Sequence, residues 1–338
     1  MKRPLKVAII GCGGIVGDHI SAFERIRAKA EITVFCDPNL ETAKAAKEKY
    51  NHPDVGIVSD YREVFEDPTV DAVDLSLPHH LHETVAIEAA KSKKHILCEK
   101  PLGRNVEECN RMIKAAKDNE VVLMPLEPMR MASSMTLAAK MIREGTLGEI
   151  LGIQGTFAYW QPAEKNTGWR GSAELSGGGQ LMDGGIHLVD VLLHLGGKAD
   201  SVQAMTSFSR PELGPKEDLA IVNIKFRKGF LGQLFTGHAS CGRGAAPLVS
   251  AYGSEACISI DIPGKETGLE LCRKNSPVEF FPSEHSWRSG YRNAIEHFVD
   301  AIREEAILYA TPEDGRENVK FVLACYESAR TGREISMI

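Results

Sequence analysis

Leu5-Lys6-Val7-Ala8-Ile9-Ile10-Gly11-Cys12-Gly13-Gly14-Ile15-Val16-Gly17 is the stretch whose reading decides the fold. Its first six residues form a short apolar run, the pattern of a strand buried on both faces of a parallel sheet. Glycines follow at once, and a helical pattern begins behind them. Strand, glycine turn and helix start, in that order, are the context in which a G-x-G-x-x-G loop receives a dinucleotide. Gly11 permits the tight turn, and Gly13 lets the backbone approach a pyrophosphate. The helix N-terminus adds unpaired N–H groups and a favourable dipole. The third glycine of the strict pattern is replaced by Val16, which predicts looser packing of helix on strand.

A dinucleotide site of this kind needs an acidic residue at the end of the second strand, for the adenosine ribose. Asp37 stands there, after Val34-Phe35-Cys36. A carboxylate in that place accepts both ribose hydroxyls and repels a 2′-phosphate, so NAD is favoured over NADP. The competing reading makes Asp37 a cap for the helix that begins near Asn39.

Outward from this unit the rhythm repeats. Ile32–Cys36, Ala72–Leu77, His95–Cys98 and Val121–Met124 read as further buried strands. Asn39–Tyr50, Leu81–Ala90 and Val106–Ala116 carry helical spacing between them. Alternating strands and helices imply a doubly wound α/β parallel sheet with right-handed crossovers. After Pro125 the rhythm changes. A helix over Ser133–Glu144 leads to longer strand-like runs at Ile150–Trp160, Ser201–Ser209, Leu219–Phe226, Phe230–His238 and Val249–Ile262, which fit antiparallel strands joined by hairpins. Arg292–Glu304 and Glu317–Ala329 read as closing helices. The expectation is a Rossmann domain over 1–125 and an α+β domain over 126–338 with an open, mainly antiparallel sheet.

Bulk properties narrow the partners. The chain has 338 residues, 43% hydrophobic and 25% charged, as in ordinary globular proteins, and is long enough for two domains. A net charge of -6 argues against nucleic acid or an anionic membrane as the main partner. No apolar stretch reaches the length of a membrane span, and the basic start lacks a signal peptide's cleavage pattern. Eight scattered cysteines without a Cys-x-x-Cys pair read as reduced thiols, which points to the cytoplasm.

Two further stretches carry chemistry. In Gly177-Gly178-Gly179-Gln180-Leu181-Met182-Asp183-Gly184-Gly185-Ile186-His187-Leu188-Val189-Asp190, carboxylates and an imidazole recur at spacings of four and three, which places them on one helical face. The glycines at its entry let something approach the backbone closely. The alternative is a capped helix start with a core histidine. Cys98-Glu99-Lys100-Pro101 ends a strand, and ligands of open α/β sheets bind beyond the carboxyl ends of strands, so Lys100 stands at the cofactor cleft. The alternative is a solvated lysine. His79, His80 and His82 invite a metal reading, but their spacing and the lack of a carboxylate or cysteine partner argue against one. Met129, Met131 and Met182 read as packing residues.

These motifs resemble one family. Gly11-Cys12-Gly13-Gly14, Glu99-Lys100-Pro101, Trp169-Arg170, Gly177–Asp190 and the closing Tyr326-Glu-Ser-Ala-Arg-Thr-Gly-Arg333 are similar to the Gfo/Idh/MocA oxidoreductases, which include glucose–fructose oxidoreductase and inositol 2-dehydrogenase. The resemblance runs from about Leu5 to Ile335. It implies pyridine-nucleotide hydride chemistry on sugars and polyols, and a second-domain sheet used for homodimer or homotetramer contacts. It also implies that Lys100, Asp183 and His187 are catalytic. Trp169, Arg170 and Arg130 would lie near the substrate with Asp183 and His187. Gly11, Gly13, Gly14, Ile15, Asp37, Ser76, His79, Glu99 and Lys100 would contact the cofactor. The chain departs from the family at Leu77-Pro78-His79, where relatives read Thr-Pro-Asn, so His79 replaces an asparagine.

In the expected chemistry NAD⁺ takes the hydride of a secondary alcohol. His187 is the first candidate for acid/base work, with Asp183 orienting it and Lys100 stabilising charge on the reacting oxygen; Lys100, beside the cationic nicotinamide, could itself share the proton transfer. An alternative is a glycosidase-like enzyme that retains NAD, oxidising and re-reducing one sugar to permit elimination. A non-catalytic sensor on the same fold is a third reading, disfavoured because Lys100 and His187 are both present.

Overall fold

A computed structural model describes residues 3–238, 246–284 and 286–337. It divides into two compact units, one running through Glu127 and taking in Tyr291–Arg316, the other holding Pro128–Gly290 and the residues from Glu317 onward. A boundary read from a change of rhythm near 125 has no means of registering such a return of the chain.

The first unit is built on strands β1 (Leu5–Ile10), β2 (Ala30–Cys36), β3 (Gly56–Val58), β4 (Ala72–Leu75), β5 (His95–Glu99) and β6 (Leu123–Leu126). All pairs are parallel, in the order β3-β2-β1-β4-β5-β6. The helices between them are α1 (Val16–Arg25), α2 (Leu40–Lys49), α3 (Tyr61–Glu66), α4 (His79–Lys91) and α5 (Val106–Asp118). Strand order reverses between β1 and β4, the switch point beyond which doubly wound sheets bind ligands. Val7, Ala8 and Ile9 are fully buried, which is why β1 lacks polar alternation. Pro125 lies in β6, an edge strand, where a missing N–H costs no ladder bond. Helix starts are capped as their sequences direct: Asn39, Asp60 and Asn105 each accept a backbone N–H of the first turn.

The second unit begins with α6 (Pro128–Met131) and α7 (Ser133–Arg143). Its nine-stranded sheet comprises β7 (Ile150–Ala158), β8 (Ala199–Ser207), β9 (Leu219–Phe226), β10 (Leu231–Gly237), β11 (Val249–Gly253), β12 (Ala256–Ile260), β13 (Gly268–Arg273), β14 (Glu279–Pro282) and β15 (Ile335–Ser336). The short α8 (Ala173–Ser176) precedes a wide π turn over Leu181–Gly185, which runs into α9 (Ile186–Gly196). Helices α10 (Ser286–Ile302) and α11 (Pro312–Thr331) are both longer than the sequence implies.

The expected architecture is present, with three local differences. The run Val249–Ile262 is a hairpin of β11 and β12 that turns at Ser254-Glu255, not one strand. β7 pairs parallel with β10 inside an otherwise antiparallel sheet. β3, β13, β14 and β15 were not anticipated. Seven described cysteines are free thiols, and Cys241 lies outside the described residues. Met129, Met131 and Met182 are buried, as packing residues should be.

Candidate functional site

In the first unit the glycine loop is shaped by its neighbours. Gly11 has φ +98°, and a Cβ there would stand 2.2 Å from the carbonyl oxygen of Ser76, so both conformation and space demand glycine. Gly13 and Gly14 differ: a Cβ on either would meet nothing within 4 Å. No protein packing explains them, and open space beside the backbone is what a close-lying pyrophosphate requires. Gly17 is close to a different neighbour: a Cβ there would lie 2.1 Å from the Tyr50 hydroxyl, just past α2. Val16 itself is buried in the first turn of α1.

Asp37 serves the same loop. Its Oδ2 accepts the N–H of Cys12 at 3.0 Å and its Oδ1 accepts that of Asn39 at 2.9 Å. The half-buried carboxylate braces the glycine loop and also steadies the start of α2, whose cap proper is Asn39. Each oxygen retains acceptor capacity for a ribose hydroxyl. Ser76 lies just past β4, its Oγ buried without a hydrogen-bond partner among the described residues. Ile15 is the residue from which α1 departs. An uncontested glycine cradle, a carboxylate at the β2 end and an orphaned hydroxyl together fit a dinucleotide.

Lys100 follows β5 directly, and its peptide bond to Pro101 is cis. Glu99 before it is buried and fully engaged. Its Oε1 receives the Tyr291 hydroxyl at 2.7 Å and faces His19 Nε2 at 3.1 Å, while its Oε2 accepts the Lys100 backbone N–H at 3.1 Å. Burial opposes ionisation of Glu99, but the His19 hydrogen bond and charge outweigh it and hold the carboxyl at about 2. His79 is buried at the start of α4, its ring 5.7 Å from that of His82. His82 is wholly buried between the turns after β4 and β5, with Nδ1 2.8 Å from the Pro101 carbonyl and Nε2 3.0 Å from that of Leu77, and as a neutral ring it donates to one of them. Burial pushes its imidazole below the usual range. Among the described residues no group of three or more His, Cys, Asp or Glu is arranged to hold a metal ion.

In the second unit the glycines of Gly177–Gly179 admit protein atoms. A Cβ on Gly178 would stand 2.2 Å from the Tyr326 hydroxyl, and one on Gly179 2.1 Å from the Glu217 carbonyl. Tyr326 donates to Glu217 Oε1 at 2.8 Å and accepts from Gly179 N at 3.1 Å, while Glu217 Oε1 also accepts from Leu181 N at 2.9 Å. This clasp seats the π turn that carries Asp183. Asp183 Oδ2 lies 3.6 Å from Arg170 Nε, and the Arg170 guanidinium stacks 4.2 Å over the Trp169 ring, so these three candidates are brought together. His187 is buried in the first turn of α9, edge-on to Trp287 at 5.2 Å and to Phe157 at 6.4 Å.

Asp190 is placed otherwise than the sequence implied. It is buried, accepts from Nε and Nη2 of Arg130 on its two oxygens, and accepts Asn318 Nδ2 at 2.8 Å. One carboxylate of the helical face therefore belongs to an ion pair, and Arg130 is its partner. Sequence reasoning assigned no individual role to Tyr159, Lys216 or His238. Tyr159 Oη lies 2.9 Å from His238 Nε2, and burial, then the charge of Asp183, pushes its phenol up. Lys216 is buried and bonds the Arg170 carbonyl, its ammonium pushed down by burial. None of these lies in a spaced motif, so no local signal marks them.

Comparison with known proteins places this geometry. Residues 5–126 match the NAD-binding Rossmann fold of an oxidoreductase family, and residues 139–337 match that family's C-terminal α/β domain. The chain is 30% identical to levoglucosan dehydrogenase of Pseudarthrobacter phenanthrenivorans (strain DSM 18606 / JCM 16027 / LMG 23796 / Sphe3), over 77% of this chain and 70% of that protein. It is 25% identical to scyllo-inositol 2-dehydrogenase (NADP(+)) of Bacillus subtilis (strain 168), over 88% and 87%. A solved levoglucosan dehydrogenase, in complex with NADH and levoglucosan, superposes with a TM-score of 0.89 at 27% identity, covering 98% of this chain and 99% of that one. With both family domains present in order over nearly its whole length, the chain belongs to the Gfo/Idh/MocA oxidoreductase family.

Proposed function

We propose that this protein is a dehydrogenase that moves a hydride between NAD and a secondary alcohol of a sugar, anhydrosugar, inositol or related polyol. The observation that carries the reading is the placement of the glycine loop and Lys100 at the carboxyl ends of β1 and β5, which flank β4 in one parallel sheet, with Asp37 at the end of β2. The relatives' activities on levoglucosan and scyllo-inositol supply the substrate class.

When bound, the nicotinamide supplies the hydride acceptor. Gly11, Gly13, Gly14 and Ile15 receive the pyrophosphate, Asp37 takes the ribose hydroxyls, and Ser76, His79 and Glu99 complete the cofactor wall. Asp37 disfavours a 2′-phosphate, so NAD is preferred over NADP. The ammonium of Lys100 hydrogen-bonds the reacting oxygen and stabilises the charge left as its proton departs. His187 is the acid/base that takes this proton. Asp183 orients it, and Trp169 with Arg170 holds the sugar's other hydroxyls. Arg130 acts at one remove, fixing α9 through Asp190 three residues beyond His187.

No described helix is long and apolar enough to cross a membrane. Free thiols support a cytoplasmic location, and the open sheet face of the second unit supports a homodimer or homotetramer.

The test is NADH absorbance during incubation with NAD⁺ and a panel of anhydrosugars, inositols and glycosides, with NADP⁺ in parallel. A rise with one substrate class, larger with NAD⁺, is expected. Consumption of a glycoside without NADH would instead establish redox-assisted elimination, and no turnover on the panel would overturn the proposal.

A further inference from the structure

A chain of ionisable groups runs through the interior of the first unit, beneath the candidate lysine. Asp74 on β4, His19 on α1, Glu99 at the end of β5 and Tyr291 on α10 are all buried. His19 Nδ1 lies 2.7 Å from Asp74 Oδ2, and its Nε2 lies 3.1 Å from Glu99 Oε1. Tyr291 donates to the same Glu99 oxygen at 2.7 Å. Ionised carboxylates only accept, so both ring nitrogens must carry hydrogen for both contacts to be hydrogen bonds. A neutral imidazole satisfies one of them.

The arrangement is costly. Three charges are removed from water, and well-packed apolar side chains of similar volume hold a core at least as well. Core stability alone therefore gives no reason for it, but its location does. Every oxygen of Glu99 is committed: Oε1 to His19 and Tyr291, Oε2 to the backbone N–H of Lys100. A carboxylate pinned at three points has one rotamer, and the peptide that donates to it is fixed with it. The same imidazolium is rooted in α1, the helix the dinucleotide loop opens, so loop and lysine are referred to a single rigid group.

We propose that His19 is a positioning residue: a buried imidazolium braced by Asp74 that, with Tyr291, locks the Glu99 carboxylate and through it the Lys100 backbone, so that the Lys100 amine leaves β5 in one set direction. The inference rests on the reading of Lys100 as the group that meets the reacting oxygen.

The test is backbone amide exchange at Lys100, resolved by NMR in the cofactor-free protein, in wild type, His19→Asn and Tyr291→Phe. Losing a charge-assisted bond should speed Lys100 exchange by about tenfold in His19→Asn, with a smaller rise in Tyr291→Phe, the milder change retained in case the first does not fold. Exchange of Val7 to Ile10 in β1 should rise by no more than the loss of global stability accounts for, well short of the change at Lys100. In turnover, kcat should fall as Lys100 exchange speeds up, while the KM for NAD⁺ moves by less than about threefold, the mark of a group displaced only at the reacting centre. Unchanged Lys100 exchange in a folded variant overturns the proposal. So does a rise spread evenly over β1, β4 and β5, which would make His19 a residue of general stability. Exchange needs no cofactor or substrate, so its outcome is separate from that of the NADH assay.

Discussion

At the scale of single residues, Asp37 holds the glycine loop through Cys12 N and is proposed to hold the ribose with its remaining lone pairs. Asp37→Ser with Pro38→Arg should therefore weaken NAD⁺ binding twice over, while removing the charge that opposes a 2′-phosphate. The ratio of affinities should move toward NADP⁺ by about ten- to a hundredfold, the effect of one or two charge-assisted bonds. Isothermal titration with both nucleotides measures it, and an unmoved ratio would remove Asp37 from ribose recognition. His19 makes a second residue-scale prediction, in pH. Burial opposes its protonation, but Asp74 and Glu99 outweigh burial and push the imidazole up to about 10 from 6.5. A raised base contributes stability that is complete below about 6.5 and is lost as pH rises through about 10. Glu99, held at about 2 against 4.5, contributes stability that is complete above about 4.5 and is lost as pH falls toward 2. The network is whole between about 4.5 and 6.5. The urea stability difference between wild type and His19→Asn should be largest in that window and narrow steadily toward pH 10. A flat difference from pH 6 to 9.5 would show that His19 is neutral in the fold.

At the scale of elements, the segment from Gly177 to His187 shows what a sequence motif conceals. Its glycines predicted a close approach, and one is there, but the approaching groups are Tyr326 and Glu217. Gly179 and Tyr326 are separated by 147 positions, so no local pattern could pair them, although both stood in stretches the sequence singled out. The clasp holds the π turn carrying Asp183, and it rests on one phenol. Tyr326→Phe strips Glu217, a carboxyl already raised by burial, of one donor and leaves Gly179 N without its acceptor. The second unit should lose about 1–3 kcal/mol, read from urea unfolding, with Asp183-dependent turnover falling further than stability alone explains. Equal stability would mean water replaces the hydroxyl. Legibility follows the same division. β1, α1 and β2 were readable because continuous burial and a glycine turn are written into neighbouring residues. The parallel pairing of β7 with β10 was not, because pairing is set by distant partners. β3 escaped notice because three residues are too few to show a period. The β11–β12 hairpin hid in an apolar run whose turn, Ser254-Glu255, lacks glycine or proline.

At the scale of the whole molecule, the nine-stranded sheet has two unlike faces. On one, Val222, Ile224 and Leu234 are buried, and Gly155 lies so close to α9 that a Cβ would stand 3.1 Å from Leu188. On the other, the side chains of β8 to β11 stand in rows set by register. Tyr252, opposite Gly152, continues through Leu231 to Lys225, and the next row runs Gln154, Gln233, Asn223, Gln203. Leu231 is 65% exposed and Met205 75%, with Tyr252 and Ile221 also open. Apolar side chains on either side of one row of amides, Leu231 and Tyr252 on one flank and Ile221 and Met205 on the other, with Lys225 as the one charge in the two rows named, make the composition of an interface core, where charge is depleted. Such a face is self-complementary when two copies meet about a two-fold axis, since the amide row meets its own image and the apolar groups fill beside it. A second copy of this chain is the proposed occupant. Leu231→Glu with Met205→Glu places like charges opposite one another across that axis in a low-dielectric contact. The variant should therefore sediment as a monomer at concentrations where the wild type is a dimer or tetramer, with the fold intact by circular dichroism. If wild type and variant share one mass by light scattering, this face is not the contact, and its open apolar rows must be explained without a second copy.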